Sequence, residues 1–283
     1  MAGPIDYEGR TAVVTGAASG IGRALSVALA QRGADLALSD VDGDGLDETV
    51  RRCRAARRGA AAVEGHHLDV ADRTAVISHA AAVRAAMGPV HLLVNNAGVA
   101  VAGTVEETSF EDFDWLLGIN LMGVINGTKA FLPHLIDSAD GHLVNISSVF
   151  GLVAPAFNGA YSTAKFAVRG LSEALRQEML IAGHPVQVHC VHPGGVRTNI
   201  ARNARVAPGA RLLVGDRDPA AAFDRVARTS PEGAAERILA GVDSGQARIL
   251  VGADAYAIAA LSRLVGAGYI DVLGRITRWR TRA

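Results

Sequence analysis

The run Thr11-Ala12-Val13-Val14-Thr15-Gly16-Ala17-Ala18-Ser19-Gly20-Ile21-Gly22 decides the fold. Residues 11–14 form a short apolar run of the kind a buried strand makes, and Arg23-Ala24-Leu25-Ser26-Val27-Ala28-Leu29-Ala30 follows with helical patterning. A strand, a glycine turn and a helix result. Glycines at 16, 20 and 22 let backbone N–H groups approach an anion without a Cβ in the way, and the positive end of the helix favours that anion. The spacing is Gly-x-x-x-Gly-x-Gly rather than Gly-x-Gly-x-x-Gly, but the mechanism transfers. With a strand before and a helix after it, the turn suits a dinucleotide pyrophosphate better than it suits a plain connection.

Further along, Asp35-Leu36-Ala37-Leu38-Ser39-Asp40 reads as a second strand ending in a carboxylate about twenty residues beyond the glycines, where it can accept from the adenosine ribose hydroxyls. A 2′-phosphate would meet that negative charge, and no basic residue stands inside the turn or directly after Asp40, so NAD is favoured over NADP. The arginines at 51, 52, 54, 57 and 58 lie a helix away. Asp47 and Glu48 precede Arg51 and Arg52 by four residues, the pattern of a solvated helix face.

Only two of the 28 basic residues are lysines, and Lys165 stands four residues after Tyr161. On a helix that spacing puts phenol and ammonium on one face, where a compact charge can depress the phenol's pKa and make the tyrosine a candidate acid/base. Alone, such a pair is usually a solvated helix face. Its company is Asn95-Asn96-Ala97-Gly98 after the strand 90–94, Asn120 in a helix, Ser147-Ser148-Val149-Phe150-Gly151, and Pro193-Gly194.

With these motifs in this order from about residue 8 to residue 198, the chain resembles the tyrosine-dependent short-chain dehydrogenase/reductase family. The resemblance implies a Rossmann-type α/β fold and a tetrad of Asn120, Ser148, Tyr161 and Lys165, Ser148 being chosen over Ser147 because it lies thirteen residues before the tyrosine. Tyr161 would exchange a proton with the substrate oxygen, Lys165 and the nicotinamide ring would stabilise its phenolate, Ser148 would hold the oxygen, and Asn120 would stand behind Lys165. The implied cofactor contacts are Gly16, Ser19, Gly20, Ile21 and Gly22; Asp40; Asp69 and Val70; Asn96, Ala97 and Gly98; Tyr161 and Lys165; and Pro193, Gly194, Val196 and Thr198. Among these, Asp69 would touch the adenine amine, Asn96 the adenosine ribose region and Thr198 the nicotinamide carboxamide.

The remaining 283-residue sequence bounds this reading. It is 49% hydrophobic with zero formal net charge, enough for one large α/β domain spanning 1–283 and without the basicity that nucleic acid demands. Strand-like runs at 12–14, 35–39, 61–67, 90–95, 142–146, 186–191 and 248–251 alternate with helical stretches, which predicts a doubly wound parallel sheet of about seven strands. Two cysteines, Cys53 and Cys190, suggest neither disulfides nor zinc, and the scattered histidines read as ordinary packed ones rather than metal ligands. A cytoplasmic protein is expected: the amino-terminal residues lack signal-peptide features, and no uninterrupted apolar run reaches roughly 18 residues.

Residues 197–230, with Arg197, Arg202, Arg205 and Arg211 beside Leu212-Leu213-Val214, are the candidate substrate-covering segment. With residues 99–105 and 152–157 they predict a mostly aliphatic pocket for an apolar small-molecule alcohol or carbonyl compound, with these arginines as partners for an anionic tail or, as the plainer alternative, solvated. Residues 267–283 are a basic tail expected to be frayed and solvated, with interfacial membrane contact as the alternative. Many tetrameric relatives end in a glycine-rich strand that is not seen here, so a homodimer through the helices around 112–135 and 159–182 is expected beside the homotetramer. The reading is an oxidoreductase interconverting a secondary alcohol and a ketone. The alternatives are an NADP-dependent carbonyl reductase and a non-catalytic dinucleotide-binding regulator, which would not need the tetrad together.

Overall fold

The structure, a computed structural model, describes residues 5–207 and 227–280. In chain order, β1 (Thr11–Thr15) leads through the glycine turn to α1 (Gly20–Gln31), then β2 (Asp35–Asp40), α2 (Gly43–Ala56), β3 (Val63–His67), α3 (Arg73–Met87) and β4 (Val90–Asn95). After a two-residue strand β5 (Val101–Ala102) come α4 (Phe110–Leu117), a π-helical turn Gly118–Met122 and α5 (Gly123–Asp137). The second half holds β6 (Gly141–Ile146), α6 (Gly159–Ala182), β7 (Val186–Pro193), β8 (Arg205–Val206), α7 (Pro231–Asp243), β9 (Arg248–Val251), α8 (Ala253–Val265) and α9 (Tyr269–Arg280).

Local chemistry sets these boundaries. Asp42, Asp72, Ser109 and Ser230 each stand before a helix and accept from the N–H three residues on, and Pro231 opens α7 where its missing N–H costs nothing. The 24-residue α6 stops at Gly183, whose φ of 68° a residue with a Cβ would resist.

Seven strands pair in the order β3-β2-β1-β4-β6-β7-β9, every pair parallel. Side chains of β1 and β4 alternate between two cores: Ala12, Val14, Leu92 and Val94 face α1 and α7, whereas Val13 and Leu93 pack with Phe131, Leu135 and Leu175 from α5 and α6. The chain leaves β1 toward β2 on one side and returns to β4 on the other. That reversal opens a crevice at the carboxyl ends of β1 and β4, where a doubly wound sheet binds its ligand.

Three features depart from the sequence expectations. A second, two-stranded parallel sheet joins β5 to β8. The basic tail, expected to be frayed, continues as helix α9 to Arg280. The third is that, although no uninterrupted apolar run reaches about 18 residues, among the described residues Ala253–Arg278 is long and apolar enough to cross a membrane by length and composition, and its apolar window holds no fully buried residue. Interruptions at Arg263 and Asp271 hide this stretch from a search for unbroken runs.

Candidate active site

The glycine turn is clamped from β4. Asn96 donates its side-chain amide to the carbonyls of Thr15 and Gly16, both at 3.0 Å, and the Thr15 hydroxyl accepts from the N–H groups of Asn96 and Ala97 at 3.0 and 3.1 Å. A Cβ at Gly16 would sit 2.7 Å from the Ala97 Cα, and one at Gly22 would strike the Gly16 carbonyl. Both glycines are therefore required by the turn's own packing. At the start of α1, Ser19 makes no side-chain cap bond and the first turn carries no acid, leaving the positive helix end for another anion. Thr198 arches over this point, its methyl group 3.0 Å from where a Gly20 Cβ would be. The crevice thus has a glycine floor, an amide-rich end and a threonine above it, a cradle that fits a pyrophosphate.

Asp40 closes β2 beside the turn, accepting from the N–H groups of Ala18 at 2.8 Å and Asp42 at 3.0 Å. Arg23, absent from the sequence reading of this corner, lies close by, but its guanidinium is engaged with the carbonyls of Ala18 and Gly45 and with the Thr49 hydroxyl. On the exposed face of α2, Glu48 pairs with Arg52 at the four-residue spacing and also with Arg51, three residues on. On β3's far side Asp69 accepts from the Ala71 N–H at 2.9 Å in an exposed turn, and Val70 beneath it is buried. Pro193 ends β7, the Gly194 N–H bonds the Val251 carbonyl, and Val196 is buried in the core next to Ile249 and Val251.

The four tetrad positions converge beside this crevice. Tyr161 and Lys165 occupy one face of α6, with the ammonium nitrogen 5.5 Å from the phenol ring centre. Lys165 is buried and donates to the Ile146 carbonyl at 2.9 Å, the last residue of β6. Ser148 follows that strand; its hydroxyl accepts from the Phe150 N–H at 3.1 Å and stands near enough to the Tyr161 phenol to favour its ionised form. Asn120, fully buried in the π-helical turn, exchanges two 2.8 Å bonds with the Val99 backbone, one to its N–H and one to its carbonyl. A π turn widens the helix by one residue and re-aims a side chain, a distortion that favours functional positions. Asn120 and Lys165 meet over Gly98, where a Cβ would lie 3.3 Å from the Asn120 oxygen and 3.7 Å from the lysine nitrogen.

The electrostatics differ from the sequence expectation in one respect. The one-turn spacing predicts that Lys165 depresses the phenol's pKa, yet burial pushes Tyr161 up to about 12, with the nearby Ser148 hydroxyl pulling the other way. Burial likewise pushes Lys165 down to about 8. Taking both groups out of water disfavours both charged forms, and at 5.5 Å from the ring the ammonium does not overcome it.

Sequence reasoning missed the scaffold behind these groups. His192 donates from Nδ1 to the Ser148 carbonyl at 2.8 Å, and the Ser147 hydroxyl donates to the Lys165 carbonyl at 2.8 Å, so both β7 and β6 fix the tetrad's backbone. A buried chain runs from Asn95 to Asn145 to Ser172 at 2.9 and 3.0 Å and pins α6 to the sheet. Buried histidines at strand ends were the only signal in the sequence.

In the substrate-covering segment, residues 208–226, including Arg211 to Val214, lie outside the described residues. Arg205 is held in two ways: its Nη1 pairs with Asp112 at 2.8 Å and its guanidinium carbon lies 3.6 Å over the centre of the Trp115 ring. β8, which carries it, lies along β5, so the segment's first part is fastened above Val101 and Ala102. Phe157, between Ser148 and Tyr161, adopts a φ of +65°, which is rare for an aromatic residue, and its carbonyl accepts from the Gly103 N–H.

A sheet reversing at β1 and β4, with a glycine cradle and a Ser-Tyr-Lys cluster at its rim, defines a class, the dinucleotide-binding oxidoreductases. Sequence comparison agrees: the family model described as short chain dehydrogenase matches residues 10–208, and the chain belongs to that family. It is 54% identical over 265 residues to a putative oxidoreductase, SadH, of Mycobacterium tuberculosis, covering 93% of each chain. It is 35% identical over 252 residues to a C alpha-dehydrogenase of Sphingobium, covering 87% of this chain and 81% of that one. Among solved structures, a short chain dehydrogenase/reductase from Burkholderia phymatum in complex with NAD superposes with a TM-score of 0.81 at 34% identity, covering 92% of this chain and 95% of that one.

Proposed function

We propose that the protein is an NAD-preferring dehydrogenase that interconverts an apolar secondary alcohol and its ketone, with residues 1–283 acting as one dinucleotide-binding and catalytic unit covered by segment 197–230. The observation that carries this reading is the cluster of Ser148, Tyr161 and Lys165 at the end of β6, beside the glycine cradle. When bound, an oxidised nicotinamide supplies the hydride acceptor and a positive charge next to the phenol. Gly16, Ser19, Gly20, Ile21 and Gly22 would hold the pyrophosphate, Asp40 would accept from the adenosine ribose, Asp69 and Val70 would meet the adenine, and Asn96, Ala97 and Gly98 the adenosine ribose region. Pro193, Gly194, Val196 and Thr198 would hold the nicotinamide end.

Ser148 donates to the substrate oxygen and keeps it against Tyr161, which takes the hydroxyl proton in oxidation and returns it in reduction. Lys165, still largely protonated at neutral pH with its pKa at about 8, supplies the neighbouring charge. Asn120 fixes the Val99 backbone at the mouth and stands next to Lys165 above Gly98. Val99, Val101, Leu152 and Val153, which would wall the substrate space, are aliphatic, and this supports an apolar substrate. Asp40 supports NAD, because a 2′-phosphate would meet a carboxylate whose neighbour Arg23 is committed to backbone carbonyls.

The test is absorbance at the reduced-nicotinamide band with NAD and NADP across a panel of secondary alcohols. Preference for NAD and for apolar alcohols is expected, and Asp40→Ala should narrow the cofactor ratio about tenfold, the loss of one or two charge-assisted hydrogen bonds. An unchanged ratio would remove Asp40 from the account of selectivity.

A further inference from the structure

We propose that α8 and α9 dock the protein on an anionic lipid surface, lying in the interface rather than crossing it. The inner face of α8 is settled by its packing: Ala255 is buried and Ile258, Ala259 and Ser262 are partly buried against the body. The opposite face carries Ala257, Ala260, Leu261 and Leu264, all exposed, and Leu264 is 86% exposed. On α9, Val272 and Ile276 are exposed one turn apart, while Asp271, Arg275 and Arg278 follow the same spacing on another side. A contiguous apolar surface of this kind is uncommon in water and marks a contact.

Charge selects the occupant. Among the described side chains from residue 263 onward, Arg263, Arg275 and Arg278 stand with Asp271 as the one acid, in a chain whose net charge is zero. A two-fold contact between copies through this surface would set the same arginines against one another. An anionic headgroup layer instead attracts them while Leu261, Leu264 and Ile270 enter the acyl boundary, the arrangement of an interfacial amphipathic helix.

Length decides between lying and spanning. Gly266, with φ 56° and ψ −138°, breaks the helix, leaving pieces of 13 and 12 residues. At about 1.5 Å per residue each reaches roughly 20 Å, short of a hydrocarbon core of about 30 Å. The docking surface also adjoins the candidate site, because the Tyr269 hydroxyl accepts from the Ala154 N–H at 3.3 Å, six residues beyond Ser148. An apolar substrate dissolved in the bilayer would then reach the pocket without crossing water. That corollary rests on the proposed function; the docking does not.

The experiment is co-sedimentation of the full chain with phosphatidylcholine vesicles, with and without phosphatidylglycerol, alongside sedimentation equilibrium without lipid. Binding to the phosphatidylglycerol vesicles is expected, weakened about fivefold by each of Arg263→Gln and Arg275→Gln and at least tenfold by Leu264→Glu, with oxidation of a water-soluble alcohol unchanged. Absence from both pellets would overturn the proposal. So would equal binding by the Leu264→Glu protein, or a lipid-indifferent dimer that this substitution dissociates, which would assign the face to a second copy.

Discussion

Around Lys165 the molecule hides charge and amide groups in its interior, and around Leu264 it holds aliphatic side chains out in water; one residue is 3% exposed and the other 86%. Both reverse the usual partition, but they are compensated differently. Lys165, Asn120, Ser147 and Ser148 each find a partner inside the chain, so desolvation survives only as displaced pKa values. Leu264 and its neighbours have no such answer among the described residues. A buried polar cluster that is internally satisfied points to chemistry, and an exposed apolar one that is not points to a surface beyond the chain.

Acid provides the widest break in that comparison. Burial pushes His79 and His192 down to about 4 and His189 to about 3, below the free value. Between about 6.5 and those values the unfolded chain binds more protons than the folded one, so stability falls as pH drops through this window, by about 1.4 kcal/mol per pH unit per ring, and levels off below it. The melting temperature should decline steeply from pH 6.5 to 4; a flat profile there would mean that these rings are not buried as described.

At the chemical centre, Tyr161→Phe should stay folded, bind cofactor as judged by reduced-nicotinamide fluorescence, and lose about 10²–10⁴ in turnover, the usual worth of a positioned proton carrier. Turnover near that of the parent protein would remove Tyr161 from the mechanism.

Paired stability measurements sharpen the contrast directly. Asn120→Ala strands the Val99 N–H and carbonyl and should cost about 1–3 kcal/mol per buried group in urea unfolding, whereas Leu264→Ser should fall within about 0.5 kcal/mol of the parent. Similar costs at both sites would erase the distinction. The smallest effect belongs to His192, a positioning residue acting through the Ser148 carbonyl. His192→Val should lower kcat by roughly tenfold, one hydrogen bond's worth, with KM little changed, and His192→Asn, which keeps a donor, should restore most of it.

Much of the sheet was legible because its strands are buried on both faces and so read as continuous apolar runs between amphipathic helices. The two-residue strands β5 and β8 were not, since nothing in Val101-Ala102 or Arg205-Val206 distinguishes a strand from a loop until the two come together. Asn120 could be named from its place among the motifs, but its π turn could not, because nothing in Gly118-Ile119-Asn120-Leu121-Met122 distinguishes a π turn from the α-helices on either side of it. Likewise, the sequence leaves the arginines at 197–211 between a solvated loop and partners for an anionic tail, whereas Arg205 is spent on Asp112 and Trp115, partners about ninety residues away in the chain.

Local pattern alone determined the order of strands and helices, the glycine turn and the one-turn separation of Tyr161 from Lys165, because backbone sterics and side-chain periodicity act over a few residues. Tertiary structure decided what those residues feel. Desolvation, the His192 and Ile146 contacts and the exposure of α8 depend on segments distant in sequence, and no short-range rule reports how much water is left beside a given atom.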